Sequence, residues 1–191
     1  GSKWASDYLY CRSLKLRIGM AHLRCDFRSE FLDMGTSMTV FLPESIDCSK
    51  VKVVYLLHGI ADNCTGWSRY TRVEFYARKY GVGVVIPEVQ RSYYTDMKYG
   101  LKYYSFVSEE LPVICSRFFG FSAERGKNYI MGLSMGGYGA LKCALKNPLR
   151  YAGCGVFSVA DVEMTLSDLC LEDSEFMAIF GDCKCPEGDN I

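Results

Sequence analysis

One serine in this sequence has neighbours that could turn it into a nucleophile. The stretch Gly132-Leu133-Ser134-Met135-Gly136-Gly137 carries the pattern Gly-x-Ser-x-Gly, in which glycines let two backbone segments pass where a Cβ would clash. An unassisted serine hydroxyl attacks poorly at neutral pH. Ser134 therefore needs a base within hydrogen-bond reach, a group that orients the base, and N–H donors where negative charge develops. The Met135 N–H, immediately after the serine, is the expected first donor, and the Ile60 N–H, in His58-Gly59-Ile60, the expected second. A helix starting at the serine would add unpaired N–H groups and a partial positive charge. The chemistry such a set performs is acyl transfer through a covalent acyl-enzyme.

The base is harder to find. The sequence holds two histidines, His22 and His58, and both precede Ser134, whereas the chain order expected around such a turn is serine, then acid, then histidine. His58 reads as a support for its loop and His22 as a strand residue; either would act as base only from about 3 Å of the Ser134 hydroxyl. Acids follow the serine at Asp161, Glu163, Asp168, Asp173 and Asp182, yet none has a later histidine to orient. We expect the strands carrying the acid and the histidine to lie outside these 191 residues, which would leave the chain inactive by itself. Trp67 and Tyr94 are candidates to line an acyl or aromatic pocket. Cys183 and Cys185 form the one close cysteine pair, but without Cys-x-x-Cys or a following histidine they assemble no zinc site. Neither a metal nor a cofactor is expected.

The residues flanking the serine have the pattern that would hold it. Residues 128–133 read as a strand. Residues 138–147 read as a helix with Ala140, Leu141, Ala144 and Leu145 on one face, Lys142 and Lys146 turned away, and Pro148 as its stop. Alternation over 22–32 and 37–42 predicts an antiparallel hairpin turning at 33–36. Residues 51–57 read as a strand buried on both faces, 67–80 as a helix closed by Gly81, 82–89 as a second buried strand, and 153–159 as a further one. Residues 103–118 read as a helix that Pro112 kinks or splits. Strand and helix alternate from residue 51 onward, which predicts an α/β fold, a mostly parallel sheet with helices on both faces, here without its C-terminal strands.

Composition narrows the classes. With 49% hydrophobic residues the chain can bury one core and reads as one domain, residues 20–191. Residues 1–19 read as a leader or non-native extension, Gly1-Ser2 resembling a cleavage scar. Twenty-two basic and 22 acidic residues cancel, and no long run of one sign occurs, so the electrostatic footprint for nucleic acid or an anionic membrane is missing. No apolar run approaches the roughly 20 residues that span a bilayer, and a cytoplasmic location is the default. Ten cysteines, with Cys115, Cys143 and Cys154 inside apolar patterns, read as reduced core thiols. A sheet ending near residue 159 would expose an apolar edge, so self-association into a homo-oligomer or aggregate is expected.

Several of these stretches resemble one family when taken together. His58-Gly59-Ile60 after a buried strand, Tyr94-Thr95-Asp96, Glu109-Glu110-Leu111-Pro112 and Gly132 through Gly139 are similar to the esterase D group of α/β-hydrolases, which includes tributyrin esterases, S-formylglutathione hydrolases, and feruloyl and acetylxylan esterases. The resemblance runs from about Met20 to about Gly181. It implies Ser134 as nucleophile, Ile60 and Met135 as oxyanion amides, and a small-molecule ester as substrate, with the acid and the histidine beyond the equivalent of Asp182. A serine carboxylesterase for short-chain or small aromatic acyl esters is the leading expectation, because no lid-sized insertion separates 82–89 from 103–118. The alternatives are a thioesterase of the S-formylglutathione hydrolase type and a catalytically incomplete hydrolase core.

Overall fold

The computed structural model describes residues 19–44, 47–159 and 174–181. Among these, six strands form one sheet: β1 (Met20–Ser29), β2 (Met34–Pro43), β3 (Val53–Leu57), β4 (Gly83–Pro87), β5 (Asn128–Leu133) and β6 (Gly153–Phe157). Their order is β1-β2-β4-β3-β5-β6. β1 and β2 form the expected antiparallel hairpin, β2 is antiparallel to β4, and β4, β3, β5 and β6 run parallel. The hairpin turns at residues 30–33 rather than 33–36, with Asp33 at φ 50°. A distant carboxylate sets that position: Glu110 accepts the N–H groups of Glu30 (2.7 Å) and Phe31 (3.3 Å) and the Ser29 hydroxyl.

Side chains of β3 alternate between two cores. Val53, Tyr55 and Leu57 join Val85 and Ile130 on one face, while Val54 and Leu56 meet Val84 and Ile86 on the other. Burial on both faces is why the strand reads as an unbroken apolar run. A helical stretch at 103–119, α3, and α4 (Met135–Lys146) pack on the larger core; α1 (Gly66–Tyr70) and α2 (Val73–Tyr80) pack on the smaller. Helices thus cover both faces. Among the described residues, no helix is long and apolar enough to cross a membrane.

Three helices depart from the sequence reading, each for a local reason. The single helix expected at 67–80 is two, because Thr71 is extended and its hydroxyl serves both ends, donating to the Trp67 carbonyl and accepting the Val73 N–H at 3.2 Å. In α3, Pro112 does not split the helix, which runs on through residues 103–119. Its ring would press on the Ser108 carbonyl four residues back, but a widened π turn at Phe106–Glu110 opens the ladder there, and Arg150 donates to that carbonyl. In α4, Lys142 does not face solvent: it is 1% exposed, its Nζ donates to the Thr95 hydroxyl at 3.2 Å, and it lies 5.1 Å from the Tyr104 ring centre and 5.6 Å from that of Tyr138. Aromatic faces are a low-polarity setting that tolerates an ammonium group.

The six described cysteines are free thiols. Cys115 and Cys143 are buried as expected, whereas Cys154 is exposed, on β6, the outermost strand among the described residues. A short helix, α5 (Ser174–Phe180), clamps the loop after β4: Arg91 makes a two-pronged ion pair with Glu175, and the Lys98 and Tyr99 N–H groups donate to Ile179 and Ala178 carbonyls, both at 2.9 Å. The leader expected at 1–19 falls, apart from Gly19, outside the described residues, as do Asp161, Glu163, Asp168, Asp173, Asp182, Cys183 and Cys185.

Candidate active site

β5 delivers the chain to Ser134 and α4 takes it away, the reversal occurring within one residue. Ser134 adopts φ 56° and ψ −120°, a conformation that L side chains rarely hold and that costs about 1–3 kcal/mol. The turn survives because the backbone around it is packed to contact. A Cβ on Gly132 would lie 2.0 Å from the Gly136 carbonyl oxygen, and one on Gly136 would lie 2.4 Å from that of Leu57. The Ser134 N–H is held by the Phe157 carbonyl, at 2.9 Å, where β6 ends. The first helical bond joins the Tyr138 N–H to the Ser134 carbonyl (3.1 Å). The N–H groups of Met135, Gly136 and Gly137 therefore lie outside the helical ladder at its positive end.

The loop after β3 sits beside this turn. A Cβ on Gly59 would be 3.7 Å from the Ser134 Cβ, and the next residue, Ile60, is half-buried against the larger core. Ser134 itself is half-buried. The loop after β3 and the serine turn thus meet at the C-terminal ends of β3 and β5, where ligands bind in open α/β sheets.

Tyr94 is placed differently from the sequence reading, and both it and Trp67 hold backbone carbonyls. The Trp67 indole N–H donates to the Leu57 carbonyl (3.1 Å) and the Tyr94 hydroxyl to the His58 carbonyl (3.0 Å). Two successive carbonyls at the end of β3 are therefore capped by side chains from α1 and from the loop after β4. Tyr94 is wholly buried, packs over Gly139 and cannot line an open pocket. Burial pushes its phenol well above the ordinary tyrosine range. Tyr94 stands at φ 51°, as does Tyr93; positive φ at two adjacent tyrosines leaves no signature in a sequence. Trp67 is half-buried among the smaller core's residues.

His58 is fully buried with both ring nitrogens engaged. Its Nδ1 lies 2.8 Å from the Gly59 carbonyl, which can only accept, and its Nε2 takes the Val89 N–H at 3.3 Å. That pairing requires the neutral ring with its proton on Nδ1. The Glu88 carboxylate 3.7 Å from Nε2 is then no ion pair; it is occupied by the N–H groups of Cys64 (3.1 Å) and Gln90 (2.9 Å). Glu88, which the sequence did not single out, thereby ties the loops after β3 and β4 together. His22, in β1, packs its ring tilted against Phe41, with centroids 4.7 Å apart, and lies four strand positions from β5, or roughly 19 Å at the spacing of a sheet. Neither histidine stands as a base for Ser134.

Residues 29–168 match the model of the Esterase family, described as "Putative esterase". An acetyl esterase of Caldicellulosiruptor saccharolyticus is 32% identical over 74% of this chain and 57% of its own length. An S-formylglutathione hydrolase of Bos taurus is 28% identical over 62% of this chain and 50% of its own. The chain spans about half the length of these curated relatives. Among solved structures, the fluorophosphonate-binding serine hydrolase FphF of Staphylococcus aureus, with substrate bound, superposes with a TM-score of 0.77 at 32% identity, covering 85% of this chain and 66% of that one. Because the sequence match covers the central strands and the turn that the sheet order brings together, the chain belongs to the Esterase family, within the α/β-hydrolases.

Proposed function

We propose that the protein is a serine ester hydrolase that transfers short-chain or small aromatic acyl groups to water through an acyl-enzyme on Ser134. The carrying observation is the strained, close-packed turn that holds Ser134 between the start of α4 and the loop after β3, since strain of this kind persists where surrounding structure over-determines it. The Ser134 oxygen attacks the ester carbonyl, the N–H groups of Met135 and Ile60 receive the developing oxyanion, and the alcohol leaves with a proton. Water then releases the acid. Since His22 and His58 are committed elsewhere, the base and its orienting acid come from outside the described residues. A small-molecule ester and a cytoplasmic location belong to this reading.

The likeness to an acetyl esterase supports a short acyl group. A second reading, hydrolysis of a thioester such as S-formylglutathione, has the bovine relative in its favour. Hydrolysis of p-nitrophenyl acetate by the complete gene product tests the first, with S-formylglutathione as competing substrate for the second. Activity undiminished in Ser134→Ala would sink both, and a fluorophosphonate probe should label Ser134 alone.

A further inference from the structure

We propose a second ligand site, for an amphipathic anion, in a cavity of about 780 Å³ at the opposite end of the sheet from Ser134. Its floor is Tyr55 and Asn128; Pro112 and Val113 of α3 form one wall, and Pro148 and Leu149, just past α4, form the other. Two measures of the separation agree. The six residues of β5, at roughly 3.3 Å each, put Asn128 about 20 Å from Ser134. The 12 residues of α4, at about 1.5 Å each, put Lys146 about 18 Å away.

The lining is chemically one-sided. Among the described residues, Arg117, Lys146 and Arg150 reach it and no carboxylate does. Arg117 has no hydrogen-bond or ion-pair partner among the described residues. Arg125 adds a further cation beside the mouth, its Nε donating to the Pro148 carbonyl at 3.0 Å. Val113 and Leu149 are 55% and 86% exposed, so apolar surface and positive charge are presented together. A formal net charge of zero conceals this local excess. An apolar pocket of several hundred Å³ with convergent cations suits a small ligand, here an alkyl chain with an anionic head, the chain lying on Val113 and Leu149 and the head on Arg117 and Lys146. The occupant is held there rather than turned over, so the site stands apart from the ester-hydrolysis reading.

Calorimetric titration of the complete protein with decanoate, decyl phosphate, decanol and decyltrimethylammonium tests this. The two anions should bind once per chain, the stronger one naming the head group, with decanol about tenfold weaker and the cation not bound. Shortening the chain by two carbons should weaken binding about tenfold. Arg117→Ser should weaken the anions about fivefold and leave decanol unchanged, and Leu149→Asp should abolish anion binding. Both positions are exposed, so both variants should melt like the parent and keep its hydrolysis of p-nitrophenyl acetate. Blocking Ser134 with a fluorophosphonate should leave binding intact. Absence of saturable binding, binding lost on blocking Ser134, or full binding by Leu149→Asp would each overturn the proposal.

Discussion

The two ends of β5 are built on opposite principles. At the C-terminal end the backbone leaves no room: side chains on Gly132 or Gly136 would meet carbonyl oxygens at 2.0 and 2.4 Å, and the serine between them is held at φ 56°. Three neighbouring carbonyls are spoken for, that of Leu57 by Trp67, that of His58 by Tyr94 and that of Phe157 by Ser134 itself. At the N-terminal end Asn128 spans a gap, its amide donating to the Ser122 and Glu124 carbonyls at 2.8 Å, and a cavity opens beside it. A Cβ on nearby Gly126 would meet nothing within 4 Å. Over-determined backbone suits chemistry that fails when a reacting atom moves by 1 Å. Looser packing suits a ligand that is merely held.

The largest effect that would break this contrast is at Ser134. Ser134→Gly should lower kcat for ester hydrolysis on the order of 10⁶-fold while raising stability by about 1–3 kcal/mol, because glycine holds φ 56° without strain. Activity and chemical denaturation, measured on the same sample, check both signs. A variant that loses activity and stability together would show that the turn is not strained. Gly132→Ala and Gly136→Ala come next. Backbone atoms cannot yield as a flexible side chain can, so each should cost roughly 4 kcal/mol or more, read as a shift in the denaturant midpoint or as failure to fold.

Tyr94 sharpens the comparison from the side of the caps. Removing its hydroxyl in Tyr94→Phe leaves the buried His58 carbonyl without that donor and should cost about 1–3 kcal/mol. It should also slow hydrolysis, since the same carbonyl precedes the Gly59-Ile60 loop.

The parts of this arrangement that were legible in the sequence are those set by local pattern. β5 and α4 announce themselves by composition, and Gly-x-Ser-x-Gly marks the turn because only glycine fits at 132 and 136. The caps were not legible. Aromatic character says nothing about the direction of an N–H or O–H, and the acceptors of Trp67 and Tyr94 lie 10 and 36 residues away in sequence. Lys142 misled for the same reason: a lysine at a helical outer position is read as solvated, and the tyrosines that cover it come from elsewhere in the chain or a turn earlier. The Glu110 anchor of the hairpin is separated from Glu30 by 80 residues.

A pH titration separates the buried core of α4 from the loose end it approaches. Burial raises the Cys143 thiol from an ordinary 9.0 to about 12. The folded state therefore keeps its proton where the unfolded chain gives it up. The associated stability is complete below pH 9 and falls as pH climbs toward 12, by about 1.4 kcal/mol per pH unit for this one group. Cys143→Ala should lose packing at neutral pH yet show a shallower decline in melting temperature across that window.

The smallest expected effect carries the comparison's other half. Gly126→Ala changes a residue in the short turn Arg125–Lys127 at the open end of the sheet. It has the same chemistry as Gly132→Ala and lies six residues earlier on the path into the same strand. With nothing within 4 Å of the added methyl, the change should stay within about 0.5 kcal/mol. Only the pair of variants tests whether glycine is demanded by crowding at one end and merely tolerated at the other. A loss at 126 comparable with that at 132 would mean that the N-terminal end is as tightly determined as the serine turn, and the cavity beside Asn128 could not then adapt to an occupant.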